Sequence, residues 1–182
     1  MAEDLAGALN MRAWFLYLSS PHTSDLLTTA EALVPDSQEA DELVVSGLQR
    51  ALREFRQYPV HTDFRVWLFG ELVRTYQDPW RRARRWLRRT VLGEEAPQRL
   101  PGMAGGMRGG SDAERARAAL CRLRAEWRVP LVLRDVAGFT YREIAAVMGL
   151  PVGRVQSRIA QARQALGRQL GVTARASTGT LV

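Results

Sequence analysis

The chain has 182 residues, 46% hydrophobic and 25% charged, a composition of one large or two small globular domains and not of a disordered chain. It contains no run of about eighteen apolar residues, so no membrane insertion is expected, and its acidic start, MAEDLAGAL, is not a secretory signal. A single cysteine, Cys121, excludes an internal disulfide and a multi-cysteine zinc site, and two histidines, His22 and His61, leave little for metal or acid–base chemistry.

The charge is more informative. All 26 basic residues are arginine, as a GC-rich genome would give. Codon usage does not explain the asymmetry along the chain. Residues 1–50 hold 2 Arg against 8 acids, residues 51–110 hold 12 against 6, and residues 111–182 hold 12 against 5. An acidic start followed by two basic blocks points to a polyanionic partner for the later parts.

Residues 11–60 read as helical. After the apolar MRAWFLYL, Thr23 or Ser24 is the expected N-cap of a helix carrying Leu26, Leu27, Ala30, Leu33 and Val34, ended by Pro35. Asp36, with Glu39 three residues on, predicts the start of the next helix, whose buried stripe is Ala40, Leu43, Val44, Leu48, Leu52 and Phe55. Tyr58-Pro59 breaks it. Residues 63–77 predict another helix with Phe64, Trp67, Leu68, Leu72 and Val73 inward. Asp78-Pro79 predicts a restart into the very basic WRRARRWLRRTVL. Arginines interleaved with Trp67, Tyr76, Trp80 and Trp86 are a pattern for holding single-stranded nucleic acid, with rings stacked on bases and cations on phosphates; burial of Trp67 and Trp86 in a core is the competing reading.

Residues 93–112, rich in glycine, read as a flexible linker. Helices resume over 113–170, with Pro130 near the start of one and Gly138 at its stop. The tail 171–182 is small and polar, and disorder is expected there. No strand alternation is present, so the expected fold is all-α: two small helical domains, 1–92 and 113–170, joined by the linker.

Thr140 to Leu166 has the layout of a helix-turn-helix. Thr140 caps Tyr141–Met148 and Glu143 completes a capping box. Ile144, Ala145 and Met148 face inward. Gly149 takes the positive φ of the turn, Leu150 plugs it, and Pro151 or Val152 opens the second helix. Val155, Ile159, Ala162 and Leu166 point to the core. Arg154, Gln156, Ser157, Arg158 and Gln161 are left outward, with residue types that read guanine, adenine and phosphate from a major groove. A plain helical hairpin with a solvated arginine face is the alternative.

These residues resemble the C-terminal domain of bacterial sigma factors of the small two-domain, extracytoplasmic-function (sigma-70-like) group. The match runs ungapped from Leu123 to Leu166 through Arg128, Leu131, Val132, Leu133, Arg134, Gly138, Tyr141, Glu143, Ile144, Ala145, Gly149, Pro151, Gly153, Val155, Ser157, Arg158, Ala162 and Arg163. Arg154 stands where Thr is usual, and Arg124 where Pro is usual. The N-terminal half resembles the family at Ala40, Glu42, Leu43, Val44, Trp67, Leu68, Asp78, Arg81 and Arg82. Val45 and Ser46 replace a Gln-Glu pair, Arg74 replaces Asn, and Pro79 is unusual there.

The resemblance implies a promoter-specificity subunit without catalysis or cofactor, cytoplasmic, and nucleoid-associated when bound to polymerase. Its implied partners are bacterial core RNA polymerase, promoter DNA and an anti-sigma factor. Core polymerase would be met by Asp41, Glu42, Val45 and Gln49, the −10 region by Arg74, Trp80, Arg81, Arg82, Arg84 and Arg85, and the −35 element by Tyr141, Arg142 and the outward face of the second helix. A flipped base would be read near Gln57–Phe64. The free domains are expected to pack on each other or on an inhibitor, hiding their basic faces. A stand-alone helix-turn-helix regulator, and a degenerate sigma acting as an interaction module, are the other readings. An enzyme is not expected, because no phosphate loop, metal spacing or nucleophile–base pair is present.

Overall fold

The computed structural model describes residues 2–79 and 111–170, with side chains over 10–79 and 115–170. These residues form eight α-helices, two short 3-10 turns and no strand. The linker core 93–110, the tail 171–182 and residues 80–92, including Trp80, Arg81, Arg82, Arg84, Arg85 and Trp86, lie outside them.

Helix α1 (Ala2–Ser19) turns through Ser20–His22 into α2 (Thr23–Leu33). The expected cap at Thr23 or Ser24 is not what starts α2. Its N-cap is His22, without a side-chain cap, and the Thr23 hydroxyl donates to the Ser19 carbonyl at 3.4 Å. His22 is already in the helical region (φ −101°, ψ −3°), so α1, the turn and α2 are nearly continuous. Pro35 ends α2 by driving Val34 to an extended conformation (φ −125°, ψ 151°). Asp36 then caps α3 (Ser37–Glu54), its carboxylate accepting from the Gln38 amide at 3.1 Å.

Of the predicted α3 stripe, Ala40, Leu43, Val44 and Phe55 are buried, while Leu48 and Leu52 are half-buried. Gly47 and Ala51 are buried as well. A methyl group on Gly47 would stand 3.2 Å from a Leu72 methyl, so α3 and α4 (Phe64–Gln77) approach closely there and a larger residue would require Leu72 to shift. Asp63 caps α4 by accepting from the Val66 amide at 3.1 Å. Phe15 of α1 meets Phe55 and Phe64 edge-on at 5.3 and 6.3 Å. This aromatic cluster takes in Tyr58 and Trp67, 5.1 Å apart. Trp67 and Tyr76 are each 9% exposed. They are core residues and are not available to stack on bases.

The second unit comprises α5 (Ser111–Arg122), α6 (Ala125–Asp135), α7 (Tyr141–Met148) and α8 (Val152–Leu170). Helix α5 starts at Ser111, two residues inside the predicted linker. Pro130 lies within α6, not at its start. Arg124, at the family's proline position, is the N-cap of α6 with φ −59°, the angle a proline ring imposes, so the chain turns as it would with Pro.

The two units pack on each other. Helix α4 is buried on nearly every side because α3 covers one face and α7, with the loop before it, covers another. Only Arg74 and Gln77 are exposed along it. Phe69 of α4 and Phe139 of the α6–α7 loop are both fully buried and meet edge-to-face at 4.9 Å. The end of α2 packs against α5 and α6.

Candidate nucleic-acid interface

The helix-turn-helix is built by local chemistry. The Thr140 hydroxyl accepts from the Glu143 amide at 3.3 Å, and the Glu143 carboxylate accepts from the Thr140 amide at 2.7 Å, closing the capping box. Gly149 ends α7 at φ +62°, where its amide and that of Leu150 both return to the Ala145 carbonyl. The Pro151 carbonyl accepts from the Arg154 and Val155 amides, so α8 starts without a break. Ile144, Val155, Ile159 and Ala162 are buried. Ala165 is buried beside a half-buried Leu166, which broadens the predicted stripe.

The outward face of α8 is as predicted in placement. Arg154, Gln156, Ser157 and Gln161 are exposed and Arg158 is half-buried. They lie on the first ten residues of the helix, the part that enters a major groove in this motif. Packing of the two units therefore does not hide this basic face, contrary to the expectation. The interdomain contact uses the other side of the motif, through α7 and its preceding loop.

Arg142 is exposed at the start of α7. Tyr141 is half-buried and engaged within the unit. The Arg134 guanidinium sits 4.9 Å from its ring centre and donates to the Phe139 carbonyl at 2.9 Å. Arg163 grips both Asp135 carboxylate oxygens, at 2.6 and 3.2 Å, and ties α8 to the end of α6. That hydrogen-bonded pair raises the Arg163 pKa, with the nearby Tyr141 adding to it. Arg134 and Arg163, both among the family-like positions, are thus structural.

In the first unit, Arg74 is exposed and donates to Glu71 at 2.9 Å. Glu71 is buried and also receives Arg50 at 3.0 Å. One carboxylate therefore orients two cations, an arrangement sequence spacing did not reveal because Arg50 and Glu71 come from different helices. On α3, Asp41 is buried, Glu42 and Val45 are half-buried, and Gln49 is exposed. The loop 58–63 presents Val60, 84% exposed, while Tyr58 packs inward and donates to the Thr62 carbonyl. Burial, and then the Asp63 carboxylate, raise the Tyr58 pKa.

Comparison with known proteins agrees with this geometry. The family described as Sigma-70, region 4 matches residues 113–166. The ECF RNA polymerase sigma factor EcfG of Rhodopseudomonas palustris is 31% identical over 145 residues, covering 79% of this chain and 77% of that protein. The chain belongs to the ECF RNA polymerase sigma factors. The ECF sigma factor SigC of Mycobacterium tuberculosis is 30% identical, covering 74% of this chain and 72% of its own. The fold is shared with the sigma factor RpoE of Bartonella quintana, solved with the anti-sigma factor NepR. That likeness has a TM-score of 0.64 at 23% identity and covers 90% of this chain and 98% of the other. A sigma factor of this kind is a promoter-specificity subunit. Among the described residues, no helix is long and apolar enough to cross a membrane.

Proposed function

We propose that this sigma factor binds bacterial core RNA polymerase in the cytoplasm and directs initiation without catalysing a reaction itself. In this reading residues 113–170 recognise the −35 element and residues 1–92 bind core and the −10 element, with 93–112 as the connector. The observation that carries the reading is the outward face of α8: exposed Arg154, Gln156, Ser157 and Gln161 on a helix whose opposite side is locked into the core. Arg154 and Arg158 meet phosphate or guanine, and Gln156 and Gln161 meet base edges. Arg142 at the start of α7 meets the backbone, with Tyr141 behind it. In the first unit, Arg74 joins Trp80, Arg81, Arg82, Arg84 and Arg85 on the −10 region. Glu42, Val45 and Gln49 contribute to core binding; Asp41, also expected on that surface, is buried and is left out of it. An anti-sigma factor is a further partner, by analogy with the complexes in which the structural neighbours were solved.

The test is co-elution with purified core polymerase, followed by transcription in vitro and sequencing of the transcripts. The expected result is a stable complex that initiates at discrete sites. Absence of any initiation with a core-bound, folded protein overturns the reading. Arg154→Ala is expected to lower the slope of log affinity against log salt by about 0.9 if it removes one phosphate contact. An unchanged slope removes Arg154 from the phosphate-binding set.

A further inference from the structure

We propose that Arg50 and Arg74 form a phosphate clamp of the first unit, aligned from behind by the Glu71 carboxylate, and that Arg50 is thereby a further contact to the promoter backbone. The proposal rests on the sigma-factor reading above and extends its DNA-binding surface from α4 onto α3.

Glu71 lies in the middle of α4, with its side chain 4% exposed. Its two oxygens are divided between two cations. Oε2 accepts from Nε of Arg50, on α3, at 3.0 Å. Oε1 accepts from Nη2 of Arg74, three residues further along α4, at 2.9 Å. The arginine side chains are 38% and 53% exposed. The carboxylate is thus closed to solvent, while both guanidiniums reach it.

Charge balance separates this group from a structural ion pair. A buried carboxylate is costly without a partner, and one arginine supplies the whole of the opposite charge. Two arginines on one carboxylate leave a net positive charge at the surface. The use of donors points the same way. Arg163 spends two nitrogens on both oxygens of Asp135, the bidentate grip that ties α8 to α6. Arg50 and Arg74 each meet Glu71 through one nitrogen. A guanidinium carries five N–H donors in a rigid plane, so most of each fork lies beyond what Glu71 takes.

Packing holds the pair in place. Gly70 is buried, and a methyl group there would stand 3.3 Å from Nη2 of Arg74. The Arg74 side chain therefore folds back over α4 into space that glycine leaves open. The close approach of Gly47 to Leu72, three residues before Arg50 and one after Glu71, sets the gap that the Arg50–Glu71 contact bridges. Two planar cations fixed on one carboxylate suit the two non-bridging oxygens of a phosphodiester. Arg74 lies in the last turn of α4, and the sequence just beyond holds six arginines in the ten residues 80–89. A nucleic-acid backbone is therefore the anion that fits.

The experiment uses the full chain with core polymerase, on a promoter found by the transcript sequencing above, and reads promoter affinity against salt. Arg50→Ala and Arg50→Gln are compared; glutamine keeps a donor for Glu71 without the charge. Each is expected to lower the slope of log affinity against log salt by about 0.7 to 0.9, the value of one phosphate contact, at unchanged helical content and core affinity. Affinity at moderate salt should fall about tenfold. In a Glu71→Gln background, which removes the charge that holds Arg50, Arg50→Ala should cost less than about twofold. An unchanged slope in both folded Arg50 variants overturns the clamp. An unchanged slope with weakened core binding also overturns it, and moves Arg50 to the polymerase surface. An equal cost of Arg50→Ala with and without the Glu71 carboxylate overturns the positioning role of Glu71. Wild type that binds core but selects no promoter overturns the sigma-factor reading itself, an outcome distinct from promoter selection with an unchanged slope.

Discussion

Helices α7 and α4 lie against each other, yet they were read from the sequence with very different completeness. In α7, Thr140, Glu143, Ile144 and Gly149 each do what their residue type does anywhere: cap, close the box, fill the core, turn the chain. Of the predicted inner face of α4, Trp67, Leu68, Leu72 and Val73 are buried and Phe64 is half-buried, but Val66, Phe69, Glu71, Thr75 and Tyr76 on the other sides are buried as well. A helix with one partner shows an apolar stripe. A helix with two partners loses the stripe, and its second partner is invisible to periodicity.

The sharpest way to break this comparison is at the point where the two helices' neighbourhoods meet. Phe139→Ala removes a fully buried ring that touches Phe69 and the Arg65 guanidinium. A loss of about 3–5 kcal/mol is expected in urea unfolding, with part of it coming from the contact between units. A loss under about 1 kcal/mol would mean the interface is loose and α4 is stabilised by α3 alone.

Thr140→Ala tests the local half. It removes the hydroxyl that accepts from the Glu143 amide, and about 1 kcal/mol should be lost. Restoration by Ser or Asp at the same position would show that capping, rather than packing, is responsible. Equal destabilisation by all three substitutions would contradict the capping account.

The smallest effect is kinetic. Burial raises the Cys121 thiol pKa, while Arg128 and Arg117 partly oppose the shift. Less thiolate is present near neutral pH than in a free cysteine, so alkylation by iodoacetamide should be slower than in the urea-unfolded chain. The sign for stability follows. The folded form favours the neutral thiol, so this contribution is complete below the ordinary cysteine pKa and is lost as pH rises through the folded value. Alkylation as fast in the folded as in the unfolded protein would place Cys121 on an open surface.

The legibility of the site follows the same division. The outward residues of α8 could be named because Val155, Ile159 and Ala162 fix which side faces the core, and the remainder must face out. Tyr141 was placed with them on sequence position alone, but Arg134 and Arg163 hold it within the unit. Tyr76 was read only among the rings interleaved with arginines, whereas Trp67 was also placed on the inner face of its helix; the fold turns both inward. The cap of α2 was misplaced for a related reason. A side-chain cap is useful where a helix begins from extended chain, and α2 begins from chain that is already helical.

Sequence alone determined what depends on neighbours within about one helical turn: the capped ends of α3, α4 and α7, the glycine turn, the inward stripe of α8 and the family-like run from Leu123 to Leu166. Tertiary structure alone decided that Arg65 and Arg128 would join the units and that Glu71 would gather Arg50 and Arg74. It also decided that α4 would be enclosed from two sides. An arginine carries the same charge wherever it lies in the chain. Whether it meets a phosphate, a carboxylate or the end of a helix depends on which distant backbone the fold brings within about 3 Å of it.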